Sequence, residues 1–172
     1  MKRSIVAACL IVSTSIILTA CSSVRQASSG FLVAGGENVD YTFEYPETWE
    51  KTRDDGMIAV KSQDSAASVS VSAFRPSEDY SSIDEYFDKY RTSFEETLGN
   101  FSLISEEDIS LADENAKKIS YTATVMDATY KFASVICIRN KIVYTITYTA
   151  SEEDYDAHAP TLAHIIQSFQ FS

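Results

Sequence analysis

Ile142-Val143-Tyr144-Thr145-Ile146-Thr147-Tyr148-Thr149-Ala150 is the stretch that decides the fold. It is rich in β-branched and aromatic residues and contains neither Gly nor Pro, the composition of a strand. Ile142, Tyr144, Ile146 and Tyr148 point one way, and Val143, Thr145, Thr147 and Thr149 point the other. No charge marks a solvent side, so protein covers both faces. Tyr130 to Ile138 has the same character, with Phe132, Ile136 and Ile138 opposed to Ala133, Val135 and Cys137. Arg139-Asn140-Lys141 joins the two runs as a hairpin, with Asn tolerating the left-handed conformation. The predicted class is α+β: an α/β/α sandwich with a single antiparallel sheet of about six to seven strands and helices packed on both faces.

The remaining elements are read outward from this pair. Ile119, Tyr121, Ala123 and Val125 alternate between turns at Asp113-Glu114-Asn115 and Met126-Asp127-Ala128, and Phe101 to Ile109 forms a strand with a charged end. Ile83, Tyr86, Phe87, Tyr90, Phe94 and Leu98 recur at three- and four-residue steps, the apolar stripe of a helix. Ser82 and Glu85 open it as a capping box, and Gly99 occupies the expected C′ position. Further upstream, Tyr41, Phe43 and Tyr45 alternate with Thr42 and Glu44 on the outer side, the period of a half-buried strand that Pro46 ends. Asp54-Asp55-Gly56 turns into a strand over Met57 to Val60, and Val69, Val71 and Ala73 alternate up to Pro76. Downstream, Ser151 with Asp154 starts a second helix carrying Tyr155, Leu162, Ile165, Ile166 and Phe169, with Pro160 kinking it or marking where its regular part begins.

Two of these stretches resemble a known family. Phe43-Glu44-Tyr45-Pro46-Glu47-Thr48-Trp49 is similar to the Phe-x-Tyr-Pro-x-x-Trp opening of PsbP-like domains. Val143 to Ala150, followed by a helix ending in Gln167-Ser168-Phe169, is similar to their close. The resemblance spans roughly residues 39 to 171 and implies an α/β/α sandwich around an antiparallel sheet. The family includes extrinsic subunits of the photosynthetic water-oxidising complex, a Ran-binding nuclear import factor and many bacterial lipoproteins. Its members share no catalytic motif, so no site residue is carried onto this chain.

The N-terminus supplies an address. Met1-Lys2-Arg3 is a basic leader, Ile5 to Ile17 an apolar core, and Leu18-Thr19-Ala20-Cys21 closes the segment. This segment of about twenty residues, with small residues just before Cys21, matches a secretory signal and not a spanning helix. Its last four residues resemble the lipoprotein signal Leu-x-(Ala/Gly/Ser)-Cys. That resemblance implies a diacylglyceryl thioether on Cys21 and cleavage between Ala20 and Cys21. Two acyl chains anchor where one binds only transiently. The predicted organisation is therefore a signal over residues 1–20, a flexible tether over 21–38 and a PsbP-like domain over 39–172. The expected location is the extracytoplasmic face of the cell membrane, with the membrane itself a partner through lipidated Cys21.

Charge and chemistry narrow the function by exclusion. Losing Lys2 and Arg3 takes the formal charge from −11 to −13, which disfavours nucleic acid as a partner. With Cys9 removed and Cys21 modified, Cys137 stands alone and no internal disulfide is available; it reads as a small buried hydrophobe. His158 and His164 lie about 240° apart around one helix and cannot act as a pair. No motif frames a nucleophile, and no Cys/His set suits zinc. The acidic clusters at 106–108, 113–114 and 152–156 lack EF-hand spacing and read as solvated surface. No cofactor and no catalytic residue are expected. Trp49 and Tyr155, which fall outside clean alternation, are the candidate ligand-binding residues. The expectation is a non-enzymatic accessory or binding module meeting a protein or small-molecule partner in the cell envelope. A ligand-binding or hydrolytic lipoprotein acting on a wall or nutrient component is the alternative.

Overall fold

The computed structural model describes residues 26–172 with the exception of Glu37 and Asp55, so Ala20, Cys21 and the signal lie outside the described residues. In chain order the elements are β1 (Phe31–Gly35), β2 (Tyr41–Pro46), β3 (Glu50–Asp54), β4 (Met57–Lys61), β5 (Ser68–Phe74), α1 (Ile83–Thr97), β6 (Gly99–Leu111), β7 (Glu114–Val125), β8 (Ala128–Arg139), β9 (Ile142–Ser151), α2 (Tyr155–Ser168) and β10 (Gln170–Phe171). Seven strands form one antiparallel sheet in the order β3-β4-β5-β9-β8-β7-β6. The other three form a small antiparallel sheet, β1-β2-β10.

The two-faced strands at the centre explain the layers. On one face of the large sheet, Val135, Cys137, Tyr144, Ile146 and Tyr148 join a core with Tyr41 and Phe43 of β2 and Leu162, Ile165 and Phe169. On the other face, Ile119, Tyr121, Ile136 and Val143 pack with Tyr86 and Phe87 of α1. The chain thus has α1 on one face of the sheet and, on the opposite face, α2 together with the small sheet.

This corrects the expectation of a single sheet between helices. The strand at Tyr41–Pro46 does not join the main sheet. It becomes the centre of a second one, because β1 and β10 pair with its two edges. The tether expected over 21–38 also gives way at its C-terminal end, where Phe31–Gly35 is a strand and Ala34 is buried against the core. Five residues with one small-residue end show too little alternation to announce a strand on their own. β3, with sequence Glu-Lys-Thr-Arg-Asp, is exposed throughout and carries no apolar signal at all.

Local chemistry at the helix ends departs slightly from expectation. Ser82 Oγ accepts the Glu85 amide at 3.1 Å, but the Glu85 carboxylate reaches back one residue further, to Ser81, accepting from its N–H at 2.9 Å and its hydroxyl at 2.6 Å. Gly99 does not serve as a left-handed C′. Leu98 is already extended, and the left-handed residue is Asn100 at φ 49°. The Ser151–Asp154 pair forms, with the Asp154 amide donating to Ser151 Oγ at 3.1 Å. It closes the turn before α2, whose own N-cap residue, Asp154, makes no side-chain cap. α2 runs through Pro160 as one helix.

Antiparallel pairing gathers the connections at two ends of the molecule. The turns β3–β4, β6–β7 and β8–β9 share one end with the close of β5, the start of β2 and the short β10. At the other end lie the β4–β5 and β7–β8 connections and the start of α2. Gly30, whose carbonyl accepts the Glu47 amide at 3.0 Å, lies beside the close of β2.

Candidate functional site

The open concavities cluster at the first of these ends, around the β8–β9 turn. One groove of about 630 Å³ runs between the β6–β7 turn and the end of α2, lined by Ser110, Asp113, Arg139, Gln167, Gln170 and Phe171 among others. A second, of about 480 Å³, lies on the far side of the hairpin and is lined by Val39, Asp40, Ala73, Phe74, Arg75 and Ile142. A third of about 310 Å³ opens near Tyr80 and Lys141.

A fixed polar and aromatic frame separates the first two grooves. Arg139 Nε lies 3.3 Å from Glu114 Oε1, and its guanidinium carbon sits 4.7 Å from the centre of the Phe171 ring. Phe171 meets Tyr144 edge-on at 4.8 Å and Phe169 at 5.1 Å. Tyr144 donates to Asp40 Oδ2 at 2.5 Å. Burial first, and then that carboxylate, push its phenol pKa well above the ordinary value. Cys137 pairs with Tyr144 across the strands and is fully buried. Its thiol is pushed up to about 11, chiefly by burial and further by Glu114, with Arg139 opposing. A thiol held protonated there is a packing group, not a nucleophile. The frame can therefore position ligands, and its buried thiol is not an activated one.

The profile of the PsbP family matches residues 35–171. The chain belongs to the PsbP family. Solved structures that share its fold include three from different organisms. Cyanobacterial PsbP (CyanoP) from Synechocystis sp. PCC 6803 superimposes with a TM-score of 0.62 at 15% identity, covering 90% of this chain and 99% of its own. The Ran-binding protein Mog1p of Saccharomyces cerevisiae gives 0.59 at 9% identity, with 84% and 96% covered. LpqN of Mycobacterium tuberculosis gives 0.56 at 10% identity, with 77% and 83% covered. No curated protein matches the chain in sequence.

In this PsbP-family domain the two aromatics singled out from sequence do not line the grooves. Trp49 is 7% exposed and meets His158 edge-on at 5.6 Å. Tyr155 is 9% exposed, packed on Tyr148 at 4.8 Å and under the Lys131 ammonium at 4.1 Å. Both break strand alternation because they close the core at the end opposite the grooves. Their irregular spacing marks a corner of the core.

The two histidines likewise face different elements. His158 Nε2 lies 3.0 Å from Ser65 Oγ, which also accepts the Ala67 amide at 3.2 Å. His164 Nε2 lies 2.9 Å from Glu44 Oε2, with the ring stacked on Phe31 at 3.7 Å. Glu44 was expected on the outer side of its strand, yet its side chain is only 4% exposed. Its amide donates to Ser168 Oγ at 2.9 Å, and its carboxylate accepts the Ser28 amide at 3.4 Å. This pair clasps α2 to the strands β1 and β2.

The acidic clusters meet partners instead of each other. Glu106 binds Arg91 at 3.2 Å, Lys118 approaches Glu107 at 3.6 Å, and Lys117 bridges Asp84 at 2.9 Å and Asp108 at 2.7 Å. Among the described residues no three His, Cys, Asp or Glu side chains converge to hold a metal.

Proposed function

We propose that this PsbP-family chain is a lipid-anchored protein of the bacterial cell envelope, held to the membrane by acylated Cys21 and working as a non-enzymatic accessory or binding module. One observation carries the reading: the described chain emerges near Gly30, at the end of the molecule opposite the grooves. Cys21 precedes the first described residue, Gln26, by five positions, and five residues reach at most about 18 Å. An anchor at that end turns the grooves away from the bilayer, where a partner can enter them. Among the described residues no helix is long and apolar enough to cross a membrane. In this reading attachment is through acylated Cys21. LpqN of Mycobacterium tuberculosis, which shares the fold, is involved in cell envelope biogenesis, which accords with such a setting.

Labelling cells with a fatty-acid analogue tests the anchor. The wild-type chain takes up label, and Cys21→Ala abolishes both label and processing; label retained on the Ala variant overturns the assignment. Cross-linking on intact cells tests the binding role, which fails if no partner or ligand is reproducibly captured.

A second reading, hydrolysis, has one observation in its favour: the 3.0 Å approach of Ser65 Oγ to His158 Nε2. A serine and a histidine at that distance form a nucleophile–base pair, but among the described residues no carboxylate bonds the imidazole to orient it. Treatment with a fluorophosphonate probe decides between the two. The binding-module reading expects no labelling of Ser65; labelling that disappears in His158→Ala establishes the hydrolytic one.

A further inference from the structure

We propose that the groove between the β6–β7 turn and β10 is a glycan site, taking a neutral, polyhydroxylated oligosaccharide. The inference deepens the binding-module reading above and rests on it.

Charge comes first. The ionisable side chains lining this groove are Asp113, Glu114 and Arg139. Arg139 is paired through Nε to Glu114 at 3.3 Å and stacked on Phe171 at 4.7 Å. Two carboxylates against one guanidinium leave the lining net negative, so an anionic ligand meets net repulsion. That disfavours phosphates, uronic acids and acidic peptides as occupants.

The remaining polar groups are neutral and free. The side-chain amides of Gln167 and Gln170 and the hydroxyl of Ser110 line the groove and make no hydrogen bond to another described residue. A primary amide presents a donor and an acceptor side by side, and a hydroxyl is both at once. A ligand whose surface is a row of hydroxyls, each donor and acceptor, matches that set; an apolar ligand would leave it unsatisfied. Ile166 and Phe171 supply apolar patches for the C–H faces of sugar rings. At about 630 Å³ the groove falls within the about 300–1,000 Å³ range of small-ligand sites, and it is open along the surface, as a chain-like ligand requires. It also opens at the end turned away from the proposed anchor.

The groove on the other side of the hairpin does not share these features. Its lining is largely apolar, with Val39, Ala73, Phe74 and Ile142, and its carboxylate Asp40 is occupied by Tyr144.

The test uses the purified full chain in detergent, titrated calorimetrically with chitotetraose, cellotetraose and maltotetraose, and with tetragalacturonate as the anionic contrast. At least one neutral tetrasaccharide is expected to bind, with new hydrogen-exchange protection over residues 110–114 and 166–171. Gln167→Ala and Gln170→Ala are each expected to weaken that binding about 10-fold, a single lost hydrogen bond's effect. Both side chains are exposed, so the melting temperature should not move. Three results each overturn the proposal: no neutral sugar binding up to about 10 mM, protection appearing elsewhere, or tetragalacturonate binding equally well. Binding in detergent does not require acylation, so a failed fatty-acid label and a failed titration are separate outcomes.

Discussion

Gly35 ends β1 at φ 117°, a conformation that side chains rarely adopt, and an added Cβ would overlap the Tyr41 carbonyl oxygen and approach Thr42 Cα to 2.7 Å. Backbone stands on both counts, so no rotamer change relieves the overlap. Gly35→Ala is expected to lower stability by about 3 kcal/mol or more, seen as a fall in the urea midpoint at unchanged slope. An unchanged midpoint would contradict the hairpin geometry. Cys137 offers a second residue-level check: at pH 8 iodoacetamide should leave it unmodified in the native chain and label it rapidly in guanidinium. At this scale the sequence was partly legible. Cys137 read correctly as a buried hydrophobe from its strand neighbours. Glu44 did not, because what buries it, His164 and Ser168, lies 120 and 124 residues away and leaves no mark on the local pattern. Nor did Gln167 or Gln170, since an amide facing a groove has the same sequence signature as one facing solvent.

Among the elements, the three long hairpins of the main sheet share one device. Ala112-Asp113, Met126-Asp127 and Asn140-Lys141 each place two successive residues at positive φ, the two-residue turn that matches strand twist. Only Asn140 belongs to a residue type that favours it at the first position, which is why only that turn was foreseen as left-handed. Asp127, at φ 65° and in no ion pair with another described residue, is a clear place to relieve strain. Asp127→Gly is expected to raise stability by about 0.5–1 kcal/mol and the melting temperature by a few degrees; a drop would refute the turn assignment. Strands with an apolar face, β5 through β9, were found from alternation to within a few residues. β1, β3 and β10 were missed because each owes its existence to a partner strand and not to its own pattern.

For the molecule as a whole, the burial of aromatic hydroxyls sets an alkaline limit. Tyr41 and Tyr121 are enclosed in the two separate cores, and burial raises both to about 12 from an ordinary value of 10. Cys137 is raised from 9 to about 11. Below pH 9 all three are protonated folded or unfolded, and their contribution is fully present. Above it the unfolded chain releases protons that the native one keeps, so stability falls as pH rises, at about 1.4 kcal/mol per pH unit for each group engaged. Urea midpoints should hold from pH 7 to 9, begin to drop through the thiol window and fall more steeply from 10 to 12. Cys137→Ala should delay the onset to about pH 10. The two cores themselves were legible in the two-faced strands, while their division between one helix and a helix-plus-sheet layer was not. The partner that closes the second layer is β1, which lies in what reads as linker.

Both margins of the seven-stranded sheet are poor templates for another strand. β3 presents Glu50, Lys51, Arg53 and Asp54, every residue exposed, and β6 slips register twice, between Gly99 and Ser102 and again between Leu103 and Ser105. Charged side chains and bulges are the devices that keep an open edge from zipping onto a neighbour. On a chain held to a membrane as proposed above, where copies would collide edge-on far more often than in free solution, these two borders would let each copy keep its own sheet.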